Sequence, residues 1–218
     1  METLQRWLVE PPTGLTVLDL GCGRGSFDYA ERCSPGTIVI GVDTELSVLS
    51  SRSMLAAVCA DGASLPFRTA SFDLIICHHS LEHFRNISPV IQEIARTLKP
   101  RGRLFVSVPD GYSFSDRLYR ALLAGGGHFQ QFSFPGLVNL VEGETGLRLA
   151  VWERLYSSFN FVDPRTFQPA PKGPLPGPFP RRMRYVGKLP SGLISGTRVL
   201  LNLVTRCVDC SATIKTPA

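Results

Sequence analysis

Three aspartates and a short glycine run hold the residue types that bind and orient a polar ligand. In Asp19-Leu20-Gly21-Cys22-Gly23-Arg24-Gly25, glycines stand two apart just after a carboxylate. Asp43 and Asp61 each close a further apolar run, Thr37 to Val42 and Leu55 to Ala60. A glycine removes a side chain where the backbone turns sharply or approaches a ligand. If a helix follows, its N-terminus directs unpaired N–H groups and partial positive charge at that ligand. Carboxylates supply the complement, accepting from hydroxyl, amine and ammonium groups. The set suits a nucleotide-type molecule. Each carboxylate also has a plainer reading: Asp19 as a cap of the glycine turn, and Asp61 as a helix or turn cap. Asp43 is harder to explain that way, because a carboxylate ending an apolar strand otherwise meets only a desolvation cost.

Four histidines, His78, His79, His83 and His128, are the candidates for a general base. His78 and His79 are adjacent on an extended segment, so their side chains point opposite ways and one of them faces a crevice. His83 follows Glu82 and reads more as a structural residue than as a base. His128, between Gly125-Gly126-Gly127 and Phe129, reads as pocket or surface. Tyr112, Phe114 and Phe129 would line an aromatic pocket or pack a helix. No single base is assigned.

The elements that must position these residues follow from hydrophobic patterning. Apolar runs predict strands over Leu15–Leu20, Thr37–Val42, Leu55–Ala60, Phe72–Cys77, Arg103–Val108 and Leu147–Tyr156. Helical periodicity predicts helices over 2–10, from Phe27 to about Cys33, over 45–52, Ile87–Leu98, Ser115–Ala124, Leu137–Gly143 and Leu193–Val208. Lys99-Pro100-Arg101-Gly102 is expected to end the helix before it. This βαβα alternation predicts an α/β fold: a doubly wound, mostly parallel sheet with helices on both faces. Asp19, Asp43, Asp61 and the His78-His79 pair then share the carboxyl edge of the sheet, where such folds bind ligands.

The 218 residues suffice for one sizeable core. Residues 1–160 are expected to form the ligand-binding domain, 161–192 a proline-rich basic loop, and 193–218 a terminal helix and tail. A net charge of +5 with scattered basic residues permits a nucleic-acid partner without indicating one. Arg181-Arg182-Met183-Arg184 reads as a solvated loop. No apolar run reaches the roughly 18–20 residues of a membrane span. The N-terminus lacks the basic start and apolar core of a signal peptide. The six cysteines fit reduced thiols and a cytoplasmic location. Cys207 and Cys210 form a lone pair, and no metal site is expected.

Taken together, Val17 to Gly25, Gly41-Val42-Asp43, Ala60 to Phe67, Ser71-Phe72-Asp73-Leu74-Ile75, Ser80-Leu81-Glu82-His83-Phe84 and Leu98 to Leu104 stand in the order and spacing of one family. The chain resembles a class I S-adenosylmethionine-dependent methyltransferase, of the small-molecule branch that includes ubiquinone and menaquinone biosynthesis enzymes. The resemblance covers about residues 15–158 and implies a Rossmann-like methyltransferase fold. It implies S-adenosylmethionine as cofactor, with Gly21, Cys22, Gly23 and Gly25 packed against its tail and ribose, and Asp19 facing the tail ammonium. Asp43 would accept from the ribose hydroxyls. Asp61 would accept from the adenine amine, with Gly62 and Ala63 beside it, and Cys77 would offer its backbone carbonyl. Methyl transfer to O, N or C of a small-molecule acceptor follows, with His79, His83 or His128 as base if one is needed. A non-catalytic cofactor-binding protein and an RNA or protein methyltransferase are the alternatives. A dinucleotide enzyme fits less well, because the sixth position from Gly21 is Ser26 where its fingerprint requires glycine. The family fold ends in an antiparallel strand seven between strands five and six. Nothing after Tyr156 reads as such a strand, and the tail from Ser211 is polar, so strand seven is expected to be cryptic or missing.

Overall fold

The computed structural model describes residues 8, 14–23, 33–45, 56–113, 116–117, 120–121, 127–154 and 210–215. Its seven strands are β1 (Thr16–Leu20), β2 (Ile38–Asp43), β3 (Ala56–Cys59), β4 (Phe72–His78), β5 (Leu98–Val108), β6 (Arg148–Arg154) and β7 (Cys210–Lys215). Two helices are described in full: α1 (Ile87–Thr97) between β4 and β5, and α2 (Phe134–Thr145) between β5 and β6. The strands form one sheet in the order β3-β2-β1-β4-β5-β7-β6. β1 to β5 pair in parallel, and the strand order reverses between β1 and β4. The expected α/β architecture is therefore present, with its switch point beside the glycine turn.

β1, β4 and the later part of β5 are buried on both faces, as their near-continuous apolar runs require. In β1, Leu18 and Leu20 join one core cluster and Val17 the other. In β4, Ile75 and Cys77 face the first cluster, while Leu74 and Ile76 face the second. The second cluster also takes in Leu8 and Phe105. Each buried aliphatic or aromatic side chain contributes roughly 1.5–3 kcal/mol. On the first face, α1 buries Val90, Ile91 and Ile94, spaced as one helical stripe. α2 buries Leu137 and Val141 there. Ser133 caps α2 by accepting from Gly136 N at 3.2 Å. Gly146, at φ 69°, ends the helix in the left-handed conformation.

Strand seven is present, so of the two expectations, cryptic or missing, the cryptic one holds. Cys210–Lys215 lies antiparallel between β5 and β6, from Arg103↔Lys215 to Val108↔Cys210 on one side and from Arg148↔Lys215 to Arg154↔Cys210 on the other. Local patterning hid it because Cys-Ser-Ala-Thr-Ile-Lys is neither continuously apolar nor cleanly alternating. Its partners lie about a hundred residues back and some sixty residues back along the chain. It satisfies the backbone donors and acceptors that β5 and β6 would otherwise leave unpaired. Residues 210–215 accordingly belong to the sheet.

β5 also differs from expectation, beginning at Leu98 with a register shift before Arg103. Lys99-Pro100-Arg101-Gly102 forms this irregular start, with Arg101 at φ 64°. It is fastened by Lys99 Nζ to Asp73 Oδ2 at 2.8 Å, and the same oxygen accepts from Thr16 N at 2.9 Å. One carboxylate on β4 thus ties the starts of β1 and β5. The expected helix over 115–124 is helical at 116–117 and 120–121. Gly25, Phe114, Arg181–Arg184 and the helices expected over 2–10 (apart from Leu8), 27–33 (apart from Cys33, a bend), 45–52 (apart from Glu45, not helical) and 193–208 lie outside the described residues. So do the boundaries drawn at 160 and 192.

Candidate active site at the carboxyl edge of the sheet

The carboxyl ends of β1, β2, β3 and β4 open onto a cavity of about 600 Å³. Its walls include Gly21, Gly23, Asp43, Asp61, Gly62, Ala63, His79 and His83. β1 delivers the glycine turn, whose first amides are taken by β2: Gly21 N and Cys22 N both donate to Val42 O, at 2.8 and 3.1 Å. Gly21 sits at φ 71°, and a Cβ there would stand 2.5 Å from Ser80 Cβ. The turn therefore passes directly against the segment that follows β4. Gly23, at φ 51°, has nothing within 4 Å of an added Cβ and faces open space.

Asp43 ends β2 and fastens the turn as well as facing the cavity. Its Oδ2 accepts from Gly23 N at 2.9 Å, and its Oδ1 from Glu45 N at 3.0 Å. Each carboxylate oxygen keeps a lone pair for a further donor. Asp61 is exposed and caps its own turn, accepting from Ala63 N at 2.9 Å. The loop behind it is clasped by α1. Leu65 N donates to Glu93 Oε2 at 2.7 Å, while Arg96 donates to the carbonyls of Phe67 and Leu65 at 2.8 and 3.1 Å. Arg96 Nε meets Glu93 Oε1 at 2.6 Å, which, with burial opposing and the Leu65 amide assisting, holds the Glu93 carboxyl below its usual range. Leu65 and Phe67 pack into the first core cluster, with Phe67 edge-on to Phe72 at 4.9 Å.

Three expected cofactor contacts, Asp19, Cys22 and Cys77, are buried outside the cavity wall. Burial, reinforced by the charges of Asp19 and Glu82, raises the Cys77 thiol far above its ordinary value, so that side chain is inert at neutral pH.

Past β4 the chain leaves regular structure, and here the histidines separate. His78 turns away from the cavity and meets Ser107 Oγ of β5 at 2.5 Å. Burial, and then the neighbouring His79, lower its pKa to about 4, so the ring is neutral. His79 faces the cavity, as the alternation requires of one of the two. It holds φ 50°, an unusual left-handed backbone for a non-glycine residue at a ligand edge. Its Nδ1 lies 3.5 Å from Glu82 Oε1. The 3-10 turn Leu81–His83 follows, with Leu81 and Glu82 buried. His83 lines the cavity, and its Nδ1 meets Gly127 O at 3.1 Å. His128 lies behind that wall, edge-on to the His83 ring at 4.9 Å. Glu82 O accepts from Phe129 N and Gln130 N at 2.8 and 3.0 Å, docking the distant strip onto the post-β4 turn.

Patterning missed Arg85 and Asn86 as cavity residues and Asp116 and Arg120 as supports. Arg120 donates to Asp116 at 2.5 Å and to the carbonyls of His128 and Gln130. Arg85 lies over the Phe129 ring at 4.1 Å. No periodic signal marks such residues: Arg85 meets Phe129 across 44 positions, and Asp116 and Arg120 act on the strip at His128 and Gln130 that packs against the post-β4 turn. Phe129 and Tyr112 are exposed aromatics, 50% and 58% accessible, and neither lies on the cavity wall.

Comparison with known proteins agrees with this arrangement. A family model described as a methyltransferase domain matches residues 18–106, from β1 through the core of β5. Over that stretch the chain is similar to methyltransferases. Nocamycin O-methyltransferase of Saccharothrix syringae is 34% identical over 113 residues, covering 47% of this chain and 40% of that protein. A demethylmenaquinone methyltransferase of Corynebacterium kroppenstedtii is 35% identical over 100 residues, 45% of this chain and 43% of that one. These matches span less than half the length of either methyltransferase. Among solved structures, phosphoethanolamine N-methyltransferase 2 of Haemonchus contortus, in complex with S-adenosylmethionine, superposes with a TM-score of 0.67 at 16% identity. That superposition covers 100% of this chain and 52% of the other, and shows a shared methyltransferase fold.

Proposed function

We propose that this chain transfers a methyl group from S-adenosylmethionine to an O, N or C nucleophile of a small-molecule acceptor, by in-line displacement. One observation carries the reading: the glycine turn, Asp43 and the Asp61 turn converge on one cavity at the switch point of a methyltransferase fold. The residues present fit the cofactor. Gly23 leaves room where a side chain would intrude, and Asp43 and Asp61 keep acceptor oxygens beside the cavity.

When bound, S-adenosylmethionine supplies an electrophilic methyl on a sulfonium sulfur. The chain's own work is positional. Asp43 would hold the ribose hydroxyls, Asp61 the adenine amine, and the Gly62-Ala63 backbone would flank the base. Asp19, buried beneath the turn, would contribute negative charge toward the tail ammonium, and the Cys77 carbonyl would assist. An aligned nucleophile roughly 3–3.5 Å from the methyl is what the remaining wall must secure. His79 and His83, both on that wall, are the residues placed to take a proton from an acceptor that arrives protonated. His128 stands behind them in a supporting position.

The small-molecule relatives favour a small acceptor over RNA or protein. The strand-seven doubt that favoured a non-catalytic protein falls away with β7 in place. Among the described residues no helix is long and apolar enough to cross a membrane. A cytoplasmic location fits a chain with reduced thiols.

Calorimetry with S-adenosylmethionine tests the cofactor directly. Saturable binding is expected, weakened at least tenfold by Asp43→Ala through loss of a hydrogen bond worth roughly 1.5–3 kcal/mol. A flat titration with folded wild-type chain overturns the reading. Labelled methyl incorporation into lysate, separated into small-molecule and macromolecular fractions, tests the acceptor class.

A further inference from the structure

Glu82, His83 and His128 each bring a ligand atom within 4.8 Å of the others. They come from one 3-10 turn and from a strip 45 residues further along, brought together by the two amides that donate to Glu82 O. The Glu82 carboxylate is 2% exposed, and its Oε2 has no hydrogen-bond partner. A buried carboxylate oxygen in that condition is costly unless a cation or donor completes it. The two imidazoles are oriented from behind. His83 Nδ1 meets the carbonyl of Gly127 at 3.1 Å, and His128 Nδ1 lies 3.5 Å from Asp116 Oδ1. Asp116 is itself fixed by Arg120 at 2.5 Å. An oxygen partner on one ring nitrogen is the arrangement that turns the other nitrogen, Nε2, toward a metal ion.

We propose that Glu82, His83 and His128 form a binding site for a divalent first-row transition-metal ion. Two imidazoles and one carboxylate suit zinc, iron, cobalt or manganese rather than the all-oxygen preference of calcium or magnesium. Ligand atoms around a tetrahedral ion stand roughly 3.3 Å apart, so the cluster must close by about 1.5 Å. His83, the exposed member, is the one with room to close that gap, at the cost of adjusting its contact with Gly127 O. Because His83 lines the cavity, an ion here would turn its open positions toward it, where a bound oxygen would become more acidic. That last consequence rests on the methyl-transfer reading; binding of the ion does not.

The test uses the full chain, stripped with chelator and titrated with Zn²⁺ against a chromophoric competitor, then with Co²⁺ followed by absorption. One ion per chain is expected, with a cobalt spectrum free of thiolate charge transfer. His83→Ala and His128→Ala should each weaken uptake at least tenfold, and Asp116→Asn by ~10-fold through loss of ring orientation. Glu82→Gln, close in shape, should lose uptake while circular dichroism stays that of wild type. His78→Ala, outside the cluster, should bind as wild type. No uptake by the folded chain overturns the proposal. So does a thiolate band surviving in the histidine variants, which would place the ion on cysteines. S-adenosylmethionine calorimetry on the same samples separates the two readings: heat without metal uptake sinks only the metal site, and metal uptake without heat sinks only the methyl-transfer reading.

Discussion

The two walls of the cavity are built by different means. The β1–β3 side is backbone architecture: a glycine turn, its amides spent on Val42, and two carboxylates that fasten turns while facing outward. The side after β4 is side-chain architecture: His79, Glu82 and His83 on a short irregular segment, propped by a strip around His128. On the first wall, Gly21 and Gly62 leave no room for a Cβ, at 2.5 Å from Ser80 and 2.8 Å from Phe84. The second can be rewritten without moving the sheet, which suits the half of a site that sets substrate choice. Two relatives with different names, nocamycin O-methyltransferase and demethylmenaquinone methyltransferase, match this chain over similar lengths, 113 and 100 residues.

That contrast can be broken by mutation. The largest effect is expected at Gly21→Val. A branched side chain there must adopt φ 71° and overlap Ser80, and we expect a loss of roughly 3 kcal/mol in urea denaturation together with abolished cofactor binding. Loss below about 1 kcal/mol would show that the turn yields, and the claim of a rigid backbone wall would fail.

The second effect is a pH dependence at His78, behind the other wall at the end of β4. His78 has a folded pKa of about 4, against 6.5 for the free side chain. Between those values the unfolded chain takes up a proton that the folded chain refuses, so stability is highest above pH 6.5 and falls as pH drops toward 4. From pH 7 to 5 the contribution lost is about 2 kcal/mol. His78→Gln should flatten that part of the profile, and an unchanged slope would assign it elsewhere.

Breaking the α1 clasp comes next. Glu93→Gln removes the charge that pairs with Arg96 and weakens the bond to Leu65 N, with an expected cost of about 1 kcal/mol. Cofactor affinity should weaken too, since the clasp holds the loop after Asp61. Unchanged affinity would separate that loop from the cofactor. The smallest effect is expected at Arg85→Ala, where the contact with Phe129 is worth ~0.5–1 kcal/mol at an exposed site. Cofactor affinity should be unchanged while acceptor KM shifts. A change in cofactor affinity would blur the division between the walls.

Residue order alone determined the parallel half of this protein. Apolar runs of strand length, three of them closed by Asp43, Asp61 and the His78-His79 pair, force those groups to one sheet edge because parallel strands all end on the same side. Glycine at Gly21 was legible for a local reason: a positive φ can be inferred where a strand must turn within two residues. The tertiary structure alone decided the rest. β7 carries no periodic signal of its own and exists because β5 and β6 leave it a slot with donors and acceptors on both sides. The division of labour between His78 and His79 was legible as alternation, but which of them faces the cavity depended on the register of β4 against β5. The grouping of His128 and Asp116 with Glu82 was not legible at all. It rests on amides of Phe129 and Gln130 reaching the Glu82 carbonyl, a contact between segments more than forty residues apart that no local pattern encodes.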